Sequence, residues 1–190
     1  DDNSFSLKAP LQDLSIPDSL QALLMERIDR LGSAKDIIQL GAVIGREFSY
    51  ELLRETVDVT EGELTDALHL LSASGIIFQT GEIPASKYLF KHALVQDAAY
   101  STLPKKSRRA LHARIAKTLE SRFAERVTTE PEVLAYHYEQ AGLPSQAIEY
   151  WRRAALRDVA RSANVEALSH FDRALDVVKN LPAGPERDQV

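Results

Sequence analysis

Apolar residues return at three- and four-residue spacing through almost the whole sequence, and that helical period is interrupted once, by two short β-like runs. The runs are IIFQT (76–80) and KYLF (87–90), separated by the turn-rich GEIPAS, in which Pro84 belongs to the turn or to an edge. A chain written this way is mainly α, with one small β-hairpin set among helices.

The punctuation between the helical runs is regular. Residues 1–16 are polar, have no period and read as a linker or extended arm. Pro17 suits the first helical position of PDSLQALLMERIDRLG, because its fixed φ and missing N–H cost nothing there. Leu20, Leu23, Leu24, Ile28 and Leu31 make the apolar stripe of that helix, and Gly32 ends it. Ser33 can cap the next helix, AKDIIQLGAVIG, and a short helix carrying Leu52, Leu53 and Val57 follows Ser49. In TEGELTDALHLLSASG, Thr60 and Glu63 have capping-box spacing, Leu64, Ala67, Leu68 and Leu71 form the buried face, and Gly75 closes the helix. Several short helices, a hairpin and a helix leaving it give the element order of a winged helix, and we place that unit at 17–103.

After Pro104 the pattern is helical throughout. Leu111, Ile115, Leu119 and Phe123 repeat every four residues; Pro131 and Pro144 can each open a helix, Gly142 can stop one, and Asn164 can cap the last. Short connections imply antiparallel neighbours. Trp151, Ala154, Ala155, Ala167, Phe171 and Ala174 have the spacing of a tetratricopeptide repeat, in which small alanines admit close helix approach while Trp and Phe fill the gaps. Leu134, Ala135, Tyr138 and Ala147 repeat the pattern one helix earlier, so the region 104–181 reads as a degenerate antiparallel helical array, tetratricopeptide-like, with a polar tail at 182–190.

Charge narrows the function. Net charge is −5 but uneven: residues 17–103 hold 7 Lys/Arg against 13 Asp/Glu, whereas 104–126 hold 8 against 2. The helix before the hairpin carries three carboxylates and no Lys or Arg, which disfavours a DNA groove and makes nucleic acid a poor partner. The chain begins at Asp1 and reads as a segment of something longer, without cysteine and without an apolar run of bilayer length, so a cytoplasmic location and no membrane contact are expected.

No phosphate-binding glycine loop, nucleophile elbow or HExxH pattern occurs, and the histidines at 69, 92, 112, 137 and 170 lack metal-ligand spacing. We therefore expect no catalytic residues, no metal and no cofactor within these residues. His69, His112, His137 and His170 read as packed helix histidines. His92 differs, because YLFKHALVQDAAY turns from strand to helix at that residue. A helix start favours an anion nearby, and a histidine there can donate to a phosphate oxygen or simply bond a neighbouring carbonyl. The basic run Lys105, Lys106, Arg108 and Arg109 is either a solvated face or a docking surface for an acidic partner.

The phrases IGREFSY, FKHALVQDAAY and LAYHYEQAGLPSQAIEYWRRAA, with the helical runs around them, resemble the region C-terminal to the ATPase core in bacterial STAND-type signalling ATPases. The resemblance is closest to the subgroup that joins a class III adenylate or guanylate cyclase domain, an AAA-like ATPase and tetratricopeptide repeats. It implies a winged-helix domain whose last helix starts with a Met-His-Asp-like motif, the histidine of which contacts the β-phosphate of ADP and latches an inactive state. His92 matches that histidine, Lys91 precedes it, Ala93 replaces the acidic residue, and Asp97 stands one turn on. It further implies ATP or ADP on an ATPase core outside these residues, that core and an output domain as partners, and a protein effector on the repeats. Two rivals stay open at this level: a DNA-binding winged-helix regulator with a repeat-type sensor, and a plain repeat scaffold.

Overall fold

The computed structural model describes residues 18–181, with ten helices and three strands among them. The expected arm at 1–16, the helix start at Pro17 and the tail at 182–190 lie outside the described residues. The chain is mainly helical and carries one small antiparallel sheet. Helices α1 (Asp18–Asp29) and α2 (Ala34–Ile44) lead into strand β1 (Glu47–Ser49). Next come α3 (Tyr50–Thr56), α4 (Glu61–Ala73), β2 (Ile77–Thr80), β3 (Lys87–Phe90) and α5 (Ala93–Ser101).

The expected hairpin is β2 and β3, with Ile77 opposite Phe90 and Thr80 opposite Lys87. It is one strand wider than expected, because β1 adds to the other edge of β3 in the order β1-β3-β2, pairing Phe48 with Tyr88. A three-residue strand with one apolar side chain has no period to read. Phe48 is buried, stacked on Tyr88 at 5.8 Å and edge-on to Phe90 at 5.6 Å. Its seat is a helical glycine: a Cβ on Gly41 would lie 2.8 Å from the Phe48 ring. Glycine inside a helix costs about 1 kcal/mol relative to alanine, and here it admits the aromatic ring that joins helix to sheet.

The expected Thr60–Glu63 box forms, and Ser49, which the sequence places just before a helix, caps it. The Ser49 hydroxyl accepts from the Leu52 N–H at 3.2 Å, and Thr60 and Glu63 make the reciprocal capping box. Ser33 does not cap: the Ala34 and Lys35 N–H groups are already taken by the Leu31 and Gly32 carbonyls, and Ser33 itself has helical dihedrals. Asn164 does not cap either, since it is the first helical residue and Ala163 occupies the cap position.

The second half comprises α6 (Lys105–Arg122), the short α7 (Ala124–Thr129), α8 (Pro131–Ala141), α9 (Pro144–Ala160) and α10 (Asn164–Lys179). Helix α8 packs on α6, α9 on α8 and α10 on α9, while α6 also packs on α2 and α3. Small side chains lie inside the array: Ala135, Ala147, Ala154 and Ala155 have no exposed surface, and Ala167 and Ala174 are buried. Trp151 is buried among them, whereas Phe171 is only half-buried. One buried cluster runs without a break from Ile28 in α1 to Ala174 in α10.

Candidate functional site

The join between β3 and α5 is rigidly held. Beyond Phe90, the Lys91 N–H donates to the Ile76 carbonyl at 3.0 Å, and the Lys91 ammonium lies over the Phe78 ring, 5.4 Å from its centroid. His92 is extended (φ −133°, ψ 136°) and its carbonyl accepts from the Val95 N–H at 3.1 Å, which makes it the N-cap residue of α5. Val95, Ala98 and Ala99 bury the inner face of that helix. The His92 side chain is exposed and makes no cap hydrogen bond. The first turn of α5 contains no acidic residue, so the positive helix end is not neutralised by its own side chains. An exposed imidazole at a helix start whose first turn carries no acid is chemically suited to an anion, while the Lys91 ammonium is directed over Phe78. Asp97 is exposed, and no hydrogen bond joins it to His92 among the described residues.

The basic candidates are divided. Lys105, Lys106 and Arg109 are exposed at the start of α6. Arg108 is half-buried, with its guanidinium 5.0 Å from the Tyr100 ring centroid and its Nε buried without a partner among the described residues. Four cations in the first turns of a helix oppose its dipole, so nothing in α6 itself is stabilised by this placement.

The helical half contains polar groups that sequence reasoning took one at a time. His112 of α6 and His137 of α8 are both buried, and their Nδ1 atoms meet at 2.8 Å. The Tyr100 hydroxyl lies 3.1 Å from Nε2 of His112, completing a chain across three helices. Burial, with the Arg108 charge secondary, pushes His112 down to about 4; burial, then His112 and Arg126, pushes His137 down to about 3. His137 also stands in the wall of a cavity of about 470 Å³, together with Phe48, Glu51, Phe123, Arg126 and Glu130. Elsewhere, Glu120 accepts from Tyr138 at 2.7 Å and Tyr150 at 2.6 Å, and these two donors hold its carboxyl below the usual range. Burial pushes the Tyr150 hydroxyl up to about 12 and the Tyr138 hydroxyl further in the same direction. His170 is not simply packed: it bonds the buried Asp158 at 2.9 Å, stacks on Trp151, and shares Asp158 with Arg157. The only signal for the histidine pairs was a histidine inside an apolar stripe, which marks a need for a partner without naming it.

Among the described residues no group of three or more His, Asp and Glu side chains is arranged to hold a metal, and no helix is long and apolar enough to cross a membrane. No family model matches the chain, and no solved structure matches it either. It is similar to an uncharacterized protein of Rhizobium meliloti (strain 1021), 28% identical over 160 residues. That alignment covers 84% of this chain but only 16% of the relative, so the chain spans less than a fifth of the length of the protein it matches.

Proposed function

We propose that this chain is a non-catalytic regulatory and protein-interaction module of a signalling ATPase. Its first half is winged-helix-like and carries the nucleotide contact, and its helical pairs are tetratricopeptide-like and receive a protein effector. The observation that carries this reading is His92, an exposed imidazole fixed at a helix start beside Lys91, with no partner of its own in the described residues. The order α2-β1-α3-α4-β2-β3, with β1 added to the hairpin, supports a winged-helix assignment. The alanine contacts in α8, α9 and α10 support the repeat assignment.

In this scheme ADP on an ATPase core outside these residues is held by His92 and Lys91 through its phosphate. Effector binding to the helical array and to the cations at Lys105, Lys106 and Arg109 draws the first half away, and an output domain such as an adenylate cyclase responds. The switch requires an effector that contacts the two states differently. In the longer protein containing the ATPase core, His92→Ala is expected to lower ADP retention about tenfold, the size of one charge-assisted hydrogen bond. Equal retention by the variant and the native protein sinks the proposal.

A further inference from the structure

We propose that Tyr100, His112 and His137 form an acid-sensitive latch that holds α8 against α5 and α6. The geometry permits two neutral arrangements. If the Tyr100 hydroxyl donates to Nε2 of His112, then Nδ1 of His112 carries its proton and donates to Nδ1 of His137. If Nε2 of His112 donates to the tyrosine oxygen, the direction reverses and Nδ1 of His137 is the donor. In both, one N–H lies between two ring nitrogens 2.8 Å apart. A second proton there would set N–H against N–H, so the doubly charged pair cannot keep this geometry.

A single added proton is also opposed. The groups facing the pair are Tyr100 from α5, Arg108 from α6, Tyr136 from α8 with its ring 5.7 Å from His112, and Arg126 from α7. The nearer charges are thus the two arginines, and both repel an imidazolium. Across the cavity stand Glu47, Glu51, Lys87 and Glu130. Glu47 pairs with Lys87 at 3.1 Å and Glu130 with Arg126 at 2.7 Å, so of the three carboxylates only Glu51 has no ion pair among the described residues. Nδ1 of His137 is committed to His112, and the residue lines the cavity wall. Protons from the cavity side therefore have a route to a buried pair that is stable only while neutral.

The sign follows from the direction of both shifts. Each ring is held below its ordinary value of 6.5, so its contribution to stability is complete above that pH and is lost as pH falls toward the folded-state value. Urea unfolding of the chain at pH 7.5 and 5.5 measures it. Each ring is expected to lower the folding constant about tenfold over that interval, about a hundredfold for the pair, and His112→Leu or His137→Leu is expected to remove about tenfold of the pH dependence. Should the leucine variants not fold, the imidazole Cε1 protons of the wild-type chain can be titrated by NMR. Two of the five histidines are expected to stay neutral below pH 5.5 while the fold persists. Unchanged pH dependence in the folded variants, or five rings titrating near pH 6.5 in the native fold, overturns the latch.

Discussion

The two halves of the molecule are held together by different physics. Residues 18–103 enclose large aliphatic and aromatic side chains, with Phe48, Tyr88 and Phe90 on the sheet and Ile38, Leu53, Leu64 and Leu71 on the helices around it. Their polar contacts are caps, surface pairs and a few part-buried bonds to neutral groups, such as Gln39 to Thr102 at 2.7 Å and Gln96 to the Ala42 carbonyl at 3.3 Å. From 104 onward many of the buried residues are alanines, and the helices are crossed by buried or half-buried polar bonds that involve ionisable groups: His112 to His137, Glu120 to two tyrosines, Trp151 to Glu139 at 2.9 Å, and Asp158 to His170. Non-directional burial fixes the first half by shape and volume. Hydrogen bonds in a low-dielectric interior specify which helix meets which, and they make the second half dependent on protonation.

Substitutions can break or sharpen that contrast. The largest effect is expected from Phe48→Ala, which removes the ring linking α2 to the sheet and is expected to cost about 3–5 kcal/mol by chemical denaturation, nearly independent of pH. Gly41→Ala comes next. Helix propensity alone would favour alanine by about 1 kcal/mol. The new Cβ would meet the Phe48 ring at 2.8 Å, so a net loss of about 1–3 kcal/mol is expected instead. A stabilised variant would show that this core is not filled as described. The smallest effect belongs to Thr60→Ala, which opens the capping box of α4 and is expected to cost about 1 kcal/mol.

The same contrast explains what could be read from sequence. The hairpin boundaries, the stops at Gly32 and Gly142 and the Thr60–Glu63 box were legible because each is fixed by residues within a few positions of one another. Strand β1 was not, since a single Phe48 has no period and its strand exists only because β3 offers an edge. Ser33 and Asn164 have cap chemistry, but the neighbouring turns satisfy the N–H groups they would have served. The helical period of α6 and α8 was plain, whereas the meeting of His112 and His137 depends on two helices joined across 25 residues. Asp158 with His170, and Glu120 with its tyrosines, are hidden for the same reason. His92 was legible as a junction because a strand-to-helix change is local; its side chain makes no cap hydrogen bond that could show what it serves.

The contrast between the halves is tested most directly by amide hydrogen exchange on the intact chain at pH 7.5 and 5.5, corrected for the intrinsic pH dependence of exchange. Amides of α6 and α8, whose contact includes the His112–His137 pair, are expected to lose protection first on acidification, while α2 and α4, packed through apolar side chains, keep theirs. Equal loss in both halves, or earlier loss in α2 and α4, would contradict the account.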